Sequence, residues 1–311
     1  MTGLEDVTAD LVIQRLYDRG VPVVRLDPGD FLIAGSGVRM SAQLNATGLS
    51  GLISTPSREL ALERVRAVWW RRPTPYQASP RAPGRDVAFA VAEARFGFGG
   101  VLAALRDCLW VNHPWHNQAA EYKPGQLVTA AECGLTVPST LITNDPHQAR
   151  TFAEDFAPVV YKPLRHPLQK DMNGGNGMIW VRAVDPVELD DTLSVTAHMF
   201  QAKVEKVADI RVTVVGEKVF AIRIDSGLLD WRADYDTLTY TLVPCPPALE
   251  SSIRRYMRSY GLMFAAFDFA LTPNGDWVFL ECNPNGQWAW IPEQEPVVAD
   301  ALADLLERGR P

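Results

Sequence analysis

The 311-residue chain is 47% hydrophobic and 22% charged, with a formal net charge of −7, a composition that suits a globular protein of two or three compact domains. The negative balance argues against a protein that coats nucleic acid or an anionic membrane. Glu93 and Arg95 interrupt the longest apolar stretch, VAFAVAEARFGFGGVLAAL, which argues against a membrane span. Cys108, Cys133, Cys245 and Cys282 stand far apart with no CxxC pair, as expected of reduced, mostly buried thiols in a cytoplasmic protein rather than of a disulfide framework or zinc site.

In chain order, EDVTADLVIQRLYDRG reads as a helix with acidic residues and Thr8 at its start and Gly20 at its end. VPVVRLD follows as a strand, so an α/β unit is expected; MTGLE is too short and polar to be the strand that should precede its helix. SGLIS and VRAVWW read as further strands, RRPTPYQASPRAPGR as a Pro/Arg loop, DVAFAVAEARFGFGGVLAAL mostly as helix and LWVN as strand. Residues 1–115 are therefore expected to form a small N-terminal α/β domain. A second lobe is expected over 116–199, with helix GQLVTAAECG, strand LTVPSTLI, helix DPHQARTFAEDF, strand PVVYKPL and a Gly/Asn-rich loop, HPLQKDMNGGNGMIWV. The remainder, 200–311, is strand-rich: HMFQAKV, the hairpins DIRVTVV-GEK-VFAIRID and AAFDFAL-TPNGD-WVFLECN, a strand TLTYTLV, and two helices.

The second hairpin carries chemistry. Residues i and i+2 of a strand share a face, so Glu281 and Asn283 point together, and Asp268 on the facing strand can sit across from them. Three oxygen donors among large apolar side chains suit a hard cation such as Mg²⁺, which keeps water and substrate phosphate in its other positions; solvated carboxylates on an open sheet face are the bland alternative, disfavoured by the cost of burying unpaired charge. Lys162 in VVYKP is a lone ammonium in an apolar strand and calls for an anion. Lys123, just before a helix, is a second cation, though alone it reads as a surface lysine. MNGGNG permits backbone amides to cover phosphate but is neither a Walker A motif nor a Rossmann fingerprint. Arg211, Arg223 and Arg232 fit as clamps on a transferring phosphoryl group, or more plainly as exposed strand charges.

This order of features, a lysine, a strand lysine, a glycine loop, FQAKVEK leading to DIR, then an acid on a strand and ExN, resembles the ATP-grasp ligases. WWRRP (69–73), DIRVTVVGEKVFAIRID, DWR, FDFAL and FLECNPNGQWAWI resemble more narrowly the ATP-grasp ribosomal peptide maturases of the microviridin type, from about residue 6 to 308. The resemblance implies an ATP-grasp fold of α/β lobes with ATP between the central and C-terminal ones. It implies that Lys123 and Lys162 contact ATP phosphates, that the backbone of Gln201, Ala202, Lys203 and Val204 reads adenine, and that Asp209 takes the ribose hydroxyls, with Glu205 the competing acid. Asp268, Glu281 and Asn283 would hold Mg²⁺. Arg211, Arg223 and Arg232 would serve the γ-phosphate and acceptor side, with Arg223 and Arg232 foremost.

The activity implied is ATP-dependent ring closure in a precursor peptide, whose Asp/Glu side chains become acyl phosphates and are joined to Ser/Thr or Lys. The partner is a leader plus an acidic core, and a homodimer is the default assembly. Trp69, Trp70, Arg71 and Arg72 are candidate peptide contacts, with core packing and interdomain ion pairs as the rival account. Trp288 and Trp290, which ATP chemistry does not require, are read as pointing to a peptide substrate. A ligase adding free amino acids to a protein or small acid shares these residues and differs in its product. A nucleotide-binding regulator without turnover is disfavoured by the full acid set and the paired lysines.

Overall fold

In the computed structural model of the chain, residues 1–33, 35–46, 48–165, 169–170, 176–177, 180–227, 229 and 238–309 are described. The Asp6 carboxylate accepts the Ala9 amide to open α1 (Val7–Asp18), and Gly20, at φ +70°, turns the chain after it. An antiparallel meander follows: β1 (Arg39–Asn45), β2 (Gly48–Ser54) and β3 (Glu59–Ala61). The parallel pair β4 (Ala67–Trp69) and β5 (Leu109–Val111) is joined by α2 (Val87–Ala103). VPVVRLD, expected as a strand, is not one: it is extended chain tied to the Thr2 amide through the Leu26 carbonyl (3.1 Å). Thr2 in turn bridges Arg72 in parallel, just past the end of β4. β1 and β3 carry too few β-branched residues to be seen in the sequence.

Helices α3 (Pro114–Ala120) and α4 (Lys123–Glu132) lead to a four-stranded antiparallel sheet, built from β6 (Thr140–Thr143), β7 (Val159–Lys162), β10 (Arg182–Val184) and β11 (His198–Ala202) in the order β10-β7-β11-β6. Helix α5 (Pro146–Asp155) covers it, and the short pair β8 (Gln169–Lys170) and β9 (Asn176–Gly177) closes the base of the glycine loop. The loop's centre, 171–175, lies outside the described residues.

The last third is a five-stranded antiparallel sheet in the order β14-β13-β12-β15-β16: β12 (Ala208–Val215), β13 (Lys218–Asp225), β14 (Thr239–Val243), β15 (Phe264–Leu271) and β16 (Trp277–Asn283). Helix α6 (Pro247–Tyr260) packs on one face, and α7 (Glu295–Arg308) packs against α1 and β12. All eight residues of the central strand β12 are buried. Its alternation explains how: Ile210, Val212 and Val214 enter the core with α4 and α6, while Asp209, Arg211 and Thr213 point to the other face and each finds a partner in Lys206, Asp268 and Gln294.

Two expected boundaries move. The cut at 199/200 falls inside β11, whose neighbours are β6 and β7. The apolar residues of 116–137 pack elsewhere than on the central sheet's core: Ala120, Ala130, Cys133 and Leu135 share a core with β12, β15, β16 and α6. Sheet and core membership thus give the central lobe about 138–202. Among the described residues, no helix is long and apolar enough to cross a membrane. All four cysteines are free, and burial pushes the Cys282 thiol well above its usual range.

Of the tryptophans read as peptide contacts, Trp288 is a packing residue, whereas the other three are half-buried. Trp288 is 0% exposed in the core formed by α1, α7, β5 and Phe264, and Trp290 packs edge-on against Tyr240 at 5.5 Å. Trp69 and Trp70 are half-buried in separate clusters. Trp288→Ala is expected to cost about 3–5 kcal/mol of unfolding free energy, measured by urea unfolding. Undiminished stability would remove the indole from the core.

Candidate active site

Residue pairing on the β15–β16 hairpin sets Asp268 directly opposite Glu281 and Ala266 opposite Asn283. The register then skips Leu280, so that Phe269 pairs with Phe279. This bulge has a chemical consequence. Strict alternation would put Phe279 on the same face as Glu281 and Asn283; the extra residue instead sends Phe279 into the core beside Phe267 and Phe269 and turns both Leu280 and Glu281 toward the cleft. The Asn283 amide donates to Asp268 Oδ2 (3.3 Å) and Glu281 Oε1 (3.4 Å). Gln126, on α4, holds the strand from outside: it donates to the Cys282 carbonyl (2.8 Å) and accepts the Cys282 amide (3.0 Å). A glutamine in an otherwise apolar helical stripe was the sequence signal for it, and it passed unread.

Both carboxylates are nearly buried and both are compensated. Arg211 Nη1 donates to the two oxygens of Asp268 at 2.9 and 3.0 Å, and Arg211 Nη2 donates to the Gln287 carbonyl (3.0 Å). Lys123 Nζ lies 3.3 Å from Glu281 Oε2 and donates to the Pro163 carbonyl (2.8 Å), linking this hairpin to the central lobe. Arg211 thus reaches the site through a carboxylate.

Between the two sheets lies an open cleft. Lys123, Lys162, Asp209, Asp268 and Glu281 supply its charged wall together with Lys206; Val160, Val181, Val204, Ala270 and Leu280 supply apolar surface of the kind a planar base needs. Gln201, Ala202 and Val204 line it, whereas Lys203 is exposed and does not. The Ala202 and Lys203 amides are donated to the Ser139 and Pro158 carbonyls at 2.9 and 2.8 Å, so Val204 is the hinge residue whose amide has no backbone acceptor among the described residues. Asp209, not the exposed Glu205, faces the cleft. Lys206, which the sequence reading did not single out, donates to Asp209 (2.6 Å) and to the Leu229 carbonyl (2.9 Å).

Arg223 departs from expectation. It pairs across the sheet with Ile210, not with Arg211, so it projects from the face opposite Asp268 and forms an ion pair with Asp225 (2.6 Å). Ile222 and Ile224 take the face it was expected to occupy. Arg211 and Arg223 lie on adjacent strands of one hairpin, but register rather than proximity in sequence decides the face. Arg232 lies outside the described residues. Arg71 is 1% exposed, and burial lowers its pKa to about 10 while leaving it cationic at neutral pH. That rules it out as a surface contact for a peptide. Arg72 is exposed and lines a hollow with Thr8, Asp30 and Gln287.

Residues 4–118 match the family model described as the MvdD pre-ATP grasp domain. No curated protein matches the chain. Among solved structures it is similar to a RiPP-associated ATP-grasp ligase of Chryseobacterium gregarium in complex with ADP and a leader and core peptide, at 25% identity and a TM-score of 0.89, covering 100% of this chain and 96% of that one. It is similar also to the macrocyclase MdnC of Microcystis aeruginosa MRC bound with precursor peptide MdnA (25% identity, 100% and 98% covered, TM-score 0.86). The macrocyclase MdnB of the same organism matches at 27% identity, with 98% and 97% covered and a TM-score of 0.80.

The donor set fits a hard divalent cation. Among the described residues no cluster of three or more His, Cys, Asp or Glu side chains of metal-binding arrangement occurs; Asp268, Glu281 and Asn283 offer two carboxylates and an amide, and the amide turns its NH2 toward both carboxylates, so it would offer its oxygen to a cation only after the amide is flipped. The turn that follows β16 is tightly fitted: a Cβ on Gly286 would lie 2.4 Å from Ala266 Cβ and 2.9 Å from Arg211 Nη2. Gly286→Ala is expected to cost about 1–3 kcal/mol through overpacking, whereas Gly97→Ala, which meets nothing within 4 Å, is expected to be harmless. Urea unfolding of the two variants measures the contrast.

Proposed function

We propose that this chain, an ATP-grasp ligase by its fold and its full-length likeness to peptide-maturing ligases, closes rings in a ribosomally made precursor peptide in the cytoplasm. It does so by activating Asp/Glu side chains with ATP and joining them to Ser/Thr hydroxyls or Lys amines. The observation that carries this reading is the convergence on one cleft of Asp268, Glu281 and Asn283 from one sheet with Lys162 and Gln201 from the other, with Lys123 between them.

The chemistry needs no nucleophile from the enzyme. A peptide carboxylate oxygen attacks the γ-phosphorus, the bond to the β-phosphate oxygen breaks, and ADP leaves an acyl phosphate. The acceptor hydroxyl or amine then attacks the acyl carbon, loses its proton and expels phosphate. Such a transfer depends on alignment and charge neutralisation. Lys123 and Lys162 supply positive charge on the phosphate side; Val204 and Asp209 seat the base and ribose. Asp268, Glu281 and Asn283 would hold Mg²⁺, which when bound neutralises phosphate charge. Arg211 keeps the Asp268 carboxylate oriented.

Incubating the chain with ATP, Mg²⁺ and the peptide encoded beside its gene tests the reading by mass spectrometry. The expected product has lost one water per ring; a gain of whole residue masses would favour the amino-acid-adding ligase instead. Glu281→Gln is expected to remain folded and to lose ring formation by at least about 100-fold, since it removes a charged donor that a hard cation requires. Unimpaired cyclisation in that variant refutes the metal assignment.

A further inference from the structure

WWRRP and NPNGQWAW, the two stretches that ATP chemistry leaves unused, meet behind the site. Arg71 Nη1 donates to the carbonyls of Asn285 (3.0 Å) and Gly286 (3.5 Å), and its Nη2 donates to the Gln287 side-chain oxygen. Asp6 lies 3.4 Å from its Nε. Thr8 donates to the same Gln287 oxygen at 3.1 Å. Pro284 is held as well, its carbonyl accepting the Asn112 amide at 3.1 Å. The Gln287 carbonyl accepts from Arg211 Nη2, whose Nη1 grips Asp268. Four consecutive carbonyls, 284 to 287, are therefore each claimed by a side chain from another segment, three of the four through arginine.

We infer that Arg71 and Gln287 are positioning residues for the Asp268 carboxylate, acting through Arg211. The inference rests on the proposed role of Asp268 as a metal ligand. Arg211 is planar and holds the carboxylate with one nitrogen and the Gln287 carbonyl with the other. The position of that carbonyl therefore fixes where Asp268 can sit. The carbonyl is fixed in turn from the N-terminal domain, because Arg71 and Thr8 anchor the Gln287 side chain and Arg71 pins the two preceding carbonyls. Domain adhesion alone would be served by apolar contact. A guanidinium excluded from water costs desolvation, and in return it supplies directional restraint. Residues that orient a metal ligand without touching the metal commonly shift metal affinity by 10–100-fold when changed.

The test uses the full chain, ADP and Mn²⁺, with bound Mn²⁺ read by electron paramagnetic resonance and folding checked by circular dichroism and thermal midpoint. Gln287→Met preserves bulk and removes the acceptor; Arg71→Lys preserves charge and removes the fork. Both are expected to raise the half-saturating Mn²⁺ concentration by about 10-fold while ADP affinity without metal stays within about twofold. Thr8→Val, which leaves Arg71 on the Gln287 oxygen, is expected to shift it in the same direction by less and decides the matter if the other two fail to fold. Folded variants with the parent's Mn²⁺ dependence would reduce the network to domain adhesion and overturn the inference. If Asp268→Asn also leaves Mn²⁺ binding unchanged, the metal assignment itself falls and the inference with it.

Discussion

The buried pair of Arg211 and Asp268 ties the molecule together. The two residues face each other across β12 and β15, each about 95% shielded from water, with Arg211 Nη1 within 3.0 Å of both carboxylate oxygens. Breaking such a pair by removing one partner costs roughly 3–5 kcal/mol, because it strands a charge in the interior. The pair therefore fixes the register of the sheet at the strand that bears the site. Asp268 faces the cleft with Glu281 and Asn283, while Arg211 turns back to the Gln287 carbonyl and so to the N-terminal domain. One ion pair thus links chemistry, sheet and domain junction.

Charge balance lets the two carboxylates gather. Asp268 is matched by Arg211 and Glu281 by Lys123, so the cluster carries little net charge. Lys123 also spans to the central lobe through the Pro163 carbonyl, which makes it sensitive to the separation of the two lobes. A triphosphate in the cleft would offer Lys123 a stronger anion than Glu281.

The N-terminal domain contributes more structure than its surface suggests. Asn112 pins Phe264 and Pro284, Arg71 pins Asn285 and Gly286, and Trp288 closes the shared core. Of the aromatic and arginine-rich motif residues, Arg71 and Trp288 face inward, Trp69, Trp70 and Trp290 are half-buried, and Arg72 is exposed.

The local pattern of the sequence determined much of this protein: the alternation in DIRVTVV, the i and i+2 pairing of Glu281 with Asn283, the acid facing them, the hairpin turns, and the family likeness carried by their order. These are properties of neighbouring residues, and strand geometry converts them directly into shared faces. Tertiary structure decided the rest, because the rest depends on contacts distant in sequence. The skipped Leu280 separates Phe279 from Glu281 by face; register against Ile210 removes Arg223 from the site. Burial turns Arg71 and Trp288 from peptide contacts into structural members, and Gln126 and Lys206 gain their roles only when segments far apart or turned back on themselves are brought within hydrogen-bonding distance of Cys282 and Asp209. A sequence reports which side chains a strand can offer to each face, and only the packed chain decides which face meets the ligand.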